Sequence, residues 1–177
     1  MIRSLACVLA AAASMAAGTA ACAASTMTIP PATMFGMRVV AIHNQLRRAE
    51  GVGPVMWDRS LAAAADTYAR QLAMTGRWGH SPIEARPGQG ENLWMGTRGA
   101  FSVDQMVGAW ASERPMFQRG AFPRVSRTGR WEDVGHYTQM IWPGSTRVGC
   151  AVRSSSRNDY LVCRYSPGGN VMGIAVP

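Results

Sequence analysis

Residues 131–142, WEDVGHYTQMIW, carry the strongest indication of the fold and of a functional site. Side chains alternate along it as they do in a half-buried strand, and aromatic, aliphatic and β-branched types are frequent. If it is a strand, successive side chains point to opposite faces of a sheet. One face would then carry His136, Thr138, Met140 and Trp142. We therefore expect a strand that holds the imidazole of His136 in a fixed position.

Three other segments have the periodicity of amphipathic helices. The first starts at Met34 and is ended by the glycines and proline of residues 51–54. The second has Asp58 as its N-cap and stops at Gly76, and the third opens with a capping box at residues 102–105. Their expected buried stripes are Phe35, Val39, Ile42 and Leu46, then Leu61, Ala65, Tyr68 and Leu72, then Val103, Met106, Val107 and Trp110.

The remaining segments predict loops and a hairpin. Residues 77–100 are rich in Gly and Pro and residues 114–130 are Arg-rich and aperiodic, so both are interpreted as loops. Residues 148–155 and 159–166 have the composition of two short strands around a turn at residues 155–158. Helices followed by antiparallel strands predict an α+β sandwich.

The N-terminal residues have the pattern of an export signal. Residues 1–23 combine Arg3, an apolar run and an Ala-Cys-Ala ending, which is typical of a secretory signal peptide rather than a membrane span. Residues 24–33 are interpreted as a flexible lead-in, and residues 34–177 as one domain. Lipoprotein attachment through Cys22 is the alternative, but Thr19 stands where such sites usually have Leu. We expect a protein exported to the periplasm or the medium.

Two of the four cysteines lie in the expected hairpin. Cys7 and Cys22 fall in the leader, whereas Cys150 and Cys163 lie in the two short strands. In an oxidising compartment such a pair favours a disulfide. Its expected role is structural.

The charge of the chain excludes some partners. The net charge is +8, and all 18 basic residues are arginine. The arginines are scattered, with only Arg47 and Arg48 adjacent, and no nucleic-acid-binding motif accompanies them. We therefore expect no specific nucleic-acid binding. We also expect that the chain has no transmembrane segment and that it is a monomer.

Five motifs, in order, resemble those of the CAP superfamily, which includes cysteine-rich secretory proteins, antigen 5 and plant pathogenesis-related proteins. They are HNQLR at 43–47, GENL at 90–93, WASERP at 110–115, GHYTQMIW at 135–142 and YLVCRYSPGGNV at 160–171. The chain is identified as a bacterial single-domain member. The resemblance implies a three-layer α-β-α sandwich with a central antiparallel sheet. Motif residues expected to be structural are His43, Asn44, Arg47, Asn92, Tyr137, Gln139 and Asn170.

The resemblance also implies a cleft lined by His80, Glu91, Glu113 and His136. Two imidazoles and two carboxylates suit a divalent cation such as Zn²⁺. Three alternatives stay open at this point. Glu91 could cap backbone N–H groups, and Glu113 could pair with Arg114 or Arg119. Glu132 or Asp133 could replace Glu113, and on a strand Glu132 shares the face of His136.

The sequence favours a binding module over an enzyme. No G-x-S-x-G element is present, Cys150 and Cys163 are taken by the expected disulfide, and no catalytic residue is assigned. The resemblance implies a lipid, sterol or protein partner beside the cation. A metal-dependent hydrolase of peptidase type, using the same cleft, is the alternative.

Overall fold

The computed structural model describes residues 31–177, with side chains from residue 33 onward. The expected signal peptide, Cys7, Cys22 and most of the lead-in therefore lie outside the described residues. The helices are α1 Pro31–Ala49, α2 Arg59–Thr75, α3 Val103–Ala111 and α4 Gly135–Met140. The strands are β1 Met56–Trp57, β2 Gly90–Thr97, β3 Gly120–Ala121, β4 Arg147–Ser154, β5 Asn158–Ser166 and β6 Ala175–Val176.

The main sheet has four strands in the order β1-β4-β5-β2. The β4–β5 and β5–β2 pairs are antiparallel, whereas the two-residue β1 runs parallel to β4. Cys150 lies directly opposite Cys163 in the β4–β5 register, and the two form the predicted disulfide. The expected hairpin is confirmed.

Helices cover both faces of this sheet. Alternate side chains of β5 point to opposite faces, so Tyr160 and Val162 pack against α2 while Leu161 and Tyr165 pack against α1 and α3. At Gly149 of β4, an added Cβ would lie 2.2 Å from a backbone nitrogen of α2, so only glycine allows this approach. The chain is the predicted three-layer α-β-α sandwich.

The helix boundaries follow the expected caps. The Asp58 carboxylate accepts hydrogen bonds from the backbone N–H groups of Ser60 and Leu61, and Gly76 ends α2 in the left-handed conformation. Ser102 and Gln105 form the capping box of α3. The start of α1, however, lies at Pro31, three residues before the predicted Met34.

The prediction of a strand at residues 131–142 is wrong. The segment forms a 3-10 turn at Trp131–Val134 and then α4. Residues 137–142 are all buried, because α1, α3 and the segment after β5 surround them. A short apolar run buried on all sides has no face exposed to water, so alternation in its sequence does not distinguish strand from helix.

The predicted loop at 77–100 is also wrong over its second half. Residues 90–97 form β2, which pairs with β5 along its whole length. The segment 114–130 is mostly irregular as expected, but it contains β3, which pairs with β6 near the C-terminus. In both cases the pairing partner lies more than 50 residues away, so local composition carries little information about it.

Arg47 connects α1 to the chain that follows α4. Its side chain is buried, and its guanidinium donates to four backbone carbonyl oxygens. Nε lies 2.6 Å from Gly53 O, Nη1 lies 3.0 Å from Met140 O and 2.9 Å from Trp142 O, and Nη2 lies 2.8 Å from Ser145 O. Burial lowers the pKa of Arg47 to about 10, which leaves it charged at neutral pH.

His43 is the buried structural histidine that the sequence indicated. Its Nδ1 lies 2.8 Å from Val39 O and its Nε2 lies 2.9 Å from the Tyr165 hydroxyl. Because a carbonyl only accepts, Nδ1 carries the proton and Nε2 accepts from Tyr165. The Tyr165 hydroxyl in turn accepts from Asn92 Nδ2. Burial, the main cause, lowers the pKa of His43 to about 4.

The stability of the protein is expected to fall as the pH is lowered through the range set by His43. The unfolded imidazole has a pKa of about 6.5, so below that pH the unfolded state binds a proton that the folded state does not. Stability is therefore complete above about pH 6.5 and decreases towards pH 4, by about 3 kcal/mol from this residue. Urea denaturation of wild type and His43→Gln at several pH values measures it. An equal pH dependence in both proteins would contradict the assignment.

No helix within residues 31–177 is both long enough and apolar enough to cross a membrane.

Candidate functional site

The first half of the candidate site is a pair formed by His80 and Glu91. His80 lies in the loop after α2, and Glu91 is the second residue of β2. His80 Nδ1 is 2.8 Å from Glu91 Oε1. The imidazole is 53% exposed whereas the carboxylate is completely buried, so the pair extends from the interior to the surface.

The Glu91 carboxylate has further partners that were not foreseen. Ser81 donates to it through both its backbone N–H and its hydroxyl, each at 2.9 Å, and Arg164 Nε lies 2.9 Å from Oε2. Burial raises the pKa of Glu91, but the hydrogen bonds from His80 and Ser81 and the charge of Arg164 outweigh it and lower the pKa below its ordinary value. Glu91 is therefore held as a buried anion.

The second half is a pair formed by His136 and Glu113. Glu113 lies just beyond the end of α3, and His136 is the second residue of α4. His136 Nδ1 is 2.6 Å from Glu113 Oε1, and the N–H of Tyr137 donates to Oε2 at 2.9 Å. The indole of Trp110 stacks on the imidazole, with ring centroids 6.1 Å apart and planes inclined by 13°.

Both pairs lie beside the same edge strand. Glu91 and Asn92 are consecutive in β2, so their side chains leave opposite faces of the sheet. Glu91 binds His80 on the α2 side, and Asn92 Nδ2 donates to the carbonyl oxygen of His136 at 3.0 Å on the other side. The four predicted residues therefore form two His–Glu pairs, one on each side of β2, which lies at the edge of the sheet.

The structure pairs Glu113, and not Glu132, with His136. Glu132 is exposed in the 3-10 turn, since the helical conformation removes it from the face on which a strand would have placed it. Arg114 and Arg119, the alternative partners of Glu113, bind Glu50 instead. Glu91 does accept a backbone N–H, from Ser81, in addition to binding His80.

Each imidazole is oriented in the same way. A carboxylate accepts the Nδ1–H of each ring, which fixes the tautomer and leaves the Nε2 lone pair free to bind a metal. Within residues 31–177, no group of three or more His, Cys, Asp or Glu side chains is arranged to hold a metal ion. The site consists of two imidazole donors, and each of them is oriented by one carboxylate.

The remaining motif residues fix α4 in place. Gln139 Oε1 accepts from the N–H of Gly169, and Asn170 Nδ2 donates to Gly135 O. The Tyr137 hydroxyl donates to Glu50 Oε1 at 2.8 Å, and Asn44 forms two hydrogen bonds with the backbone of Val55. The contacts of Gln139, Asn170 and Tyr137 hold α4, and with it His136, in place, whereas those of Asn44 join α1 to the segment before β1.

Sequence reasoning missed three supporting residues, namely Ser81, Arg164 and Trp110. One signal was available for Arg164, because a charged residue inside the apolar run of β5 requires a buried partner. Ser81 carries no such signal in a loop. Trp110 was predicted to be buried, but its contact with His136 depends on how α3 packs beside α4.

The chain is similar to known proteins in both sequence and structure. The model of the cysteine-rich secretory protein family, CAP, matches residues 40–165. The chain is 38% identical to the pathogenesis-related protein PR-1 type of Sambucus nigra over 135 residues, 76% of this chain and 77% of that protein. It is 40% identical to pathogenesis-related protein 1 of Arabidopsis thaliana over 131 residues, 73% of this chain and 74% of that protein. Among solved structures, the crystal structure of NaASP2 with Zn2+ matches with a TM-score of 0.69 and 26% identity, covering 79% and 83% of the two chains.

Proposed function

Because the chain belongs to the cysteine-rich secretory protein family, CAP, we propose that it is an exported binding module whose two His–Glu pairs hold a divalent cation. One observation carries this proposal: His80 and His136 each donate Nδ1–H to a carboxylate and keep Nε2 free. Export is supported by the leader-like residues 1–23 and by the disulfide, which needs an oxidising compartment.

Zinc fits this donor set best. Zn²⁺ prefers imidazole nitrogen at about 2.0–2.1 Å, and a carboxylate on the other ring nitrogen is its usual outer partner. NaASP2, which is 26% identical to this chain, has a crystal structure with Zn2+. His80 and His136 would hold the ion through Nε2, and when bound it would supply a Lewis acid. The role of this chain is then to orient both imidazoles and to hold the ligand at the edge of β2.

The contacts of Glu91 and Glu113 favour a binding function over hydrolysis. Glu91 is completely buried, with its oxygens shared among His80, Ser81 and Arg164. Glu113 binds His136 and the N–H of Tyr137. A general base must reach the proton that it removes, and neither carboxylate is free to do so. We therefore do not propose the hydrolase function.

We propose a lipid or sterol as a second ligand of this binding module. An open groove of about 770 Å³ lies between α1, α2 and β4. Its lining combines apolar side chains such as Phe35, Val40 and Trp57 with Arg59, Arg153 and Asp66, and Asp66 forms an ion pair with Arg153. This combination suits an acyl chain with an acidic group, because the chain is buried while the acid meets Arg59.

Calorimetric titration of Zn²⁺ into the metal-free protein tests the cation site. We expect one site of micromolar or tighter affinity. His136→Ala is expected to weaken it at least about a hundredfold, and His80→Ala/His136→Ala to abolish it, because each removes a nitrogen donor.

The third histidine provides the matched control. His43 is buried with both ring nitrogens occupied, so His43→Gln should keep wild-type zinc affinity at pH 7.5. Zinc binding that is unchanged in His80→Ala/His136→Ala would overturn the proposal.

A further inference from the structure

We propose that a second, cationic pocket of this protein binds the phosphate monoester group of a small molecule or a lipid headgroup. The pocket has a volume of about 380 Å³ and lies between the end of α1 and the segment after α3. Its lining residues are Glu50, Arg114, Phe117, Gln118, Arg119 and Arg127. None of them belongs to the two His–Glu pairs, so the proposal goes beyond the cation site.

A buried carboxylate organises the pocket. The Glu50 side chain is only 7% exposed, and its Oε1 lies 2.9 Å from Arg114 Nη2. Oε1 also accepts from the Tyr137 hydroxyl at 2.8 Å, and Oε2 lies 3.4 Å from Arg119 Nη2. Glu50 is thus anchored from inside the protein and holds two guanidinium groups at the wall of the pocket.

The pocket keeps a net positive charge after these contacts. Three guanidinium groups face one carboxylate, which leaves two charges without a counter-charge among the lining residues. Each guanidinium has five N–H donors. Within residues 31–177, the side-chain hydrogen bonds of Arg127 use only Nε, and those of Arg114 leave Nη1 unused. Several donors therefore remain for an anion.

This arrangement suits phosphate better than a carboxylate. A phosphate monoester carries a charge of about −1.5 to −2 at neutral pH and has three acceptor oxygens. It can balance both excess charges and accept from three guanidinium groups at once, whereas a carboxylate carries one charge and two oxygens. Arginine, with its fork of parallel N–H donors, is the side chain that binds phosphate in this bidentate way. A phosphodiester, with one charge, fits less well.

The test measures phosphate binding without added metal, in two arms. In the first, inorganic phosphate is titrated into the protein by calorimetry at low ionic strength. In the second, the protein is co-sedimented with phosphatidylcholine vesicles containing 20% phosphatidic acid, a monoester, or 20% phosphatidylglycerol, a diester. Binding of inorganic phosphate identifies the free group as sufficient. Binding to phosphatidic acid alone identifies a lipid headgroup as the source.

Two variants of equal charge decide whether the pocket is responsible. Arg119→Gln/Arg127→Gln removes two lining guanidiniums, and we expect at least a tenfold loss of affinity. Arg124→Gln/Arg130→Gln also removes two arginines, both exposed and neither lining the pocket, and it should change affinity less than twofold. Circular dichroism verifies that the variants fold. No binding in either arm, or an equal loss in both variants, overturns the proposal.

Discussion

Arg47→Met is expected to lower the free energy of unfolding by more than about 3 kcal/mol, a large part of the roughly 5–15 kcal/mol that stabilises a typical domain. The substitution keeps the apolar length of the side chain and removes all its donors. The carbonyl oxygens of Gly53, Met140, Trp142 and Ser145 would lose this partner, and a buried unsatisfied carbonyl costs about 1–3 kcal/mol. Urea denaturation followed by tryptophan fluorescence measures the change.

The neighbouring residue gives a matched control for this experiment. Arg48 has the same side chain one position later in α1, but it is exposed. Arg48→Met should shift the free energy of unfolding by no more than about 0.5 kcal/mol, as surface substitutions usually do. Arg47→Lys should resemble Arg47→Met more than wild type, because one ammonium group does not span four carbonyls. Equal urea midpoints for Arg47→Met and Arg48→Met would show that the four hydrogen bonds contribute nothing measurable.

Arg164→Met is expected to have the second large effect, a loss of about 3–5 kcal/mol at neutral pH. It leaves the Glu91 carboxylate completely buried without the arginine charge that lies 2.9 Å away in wild type. The same change removes one of the causes that lower the pKa of Glu91, so that pKa must rise. The free energy of unfolding is measured by urea denaturation.

The pH dependence distinguishes this electrostatic effect from lost packing. In wild type the folded pKa of Glu91 is depressed, so its contribution to stability is present above the unfolded pKa, about 4.3, and is lost as the pH falls through the folded pKa. The difference between wild type and Arg164→Met should therefore shrink at acidic pH, where Glu91 becomes protonated. Glu91→Gln/Arg164→Met, which removes both charges, should be more stable than Arg164→Met at pH 7. A difference that is constant with pH would indicate packing alone.

Local signals were sufficient for α2, α3 and the hairpin. The caps at Asp58 and Ser102 and the stop at Gly76 act within one turn of the chain, so the sequence alone predicts the boundaries that they set. The disulfide pairing of Cys150 with Cys163 followed from the hairpin in the same way. Where a structure depends on distant contacts, prediction failed. Burial of α4 on all sides hid its helical period, and β2 is a strand because β5 lies beside it.

The candidate site was predicted less completely than the fold. The four residues His80, Glu91, Glu113 and His136 came from motif resemblance, and the spacing between them contains no geometric information. The choice between Glu113 and Glu132 depended on whether His136 lies on a strand or on a helix. The division into two His–Glu pairs depended on Glu91 and Asn92 leaving opposite faces of β2. The choice of Glu113 and the division into two pairs both depend on tertiary packing.

The indole of Trp110 has a consequence for the behaviour of this protein at high concentration. β2 is an eight-residue strand at the border of the sheet, and its outward backbone groups are a template on which another chain can add a strand. Trp110 Nε1 donates to Leu93 O at 3.0 Å, which satisfies one of these groups and places α3 beside the strand. We therefore expect the same side chain that stacks on His136 to oppose aggregation by strand addition.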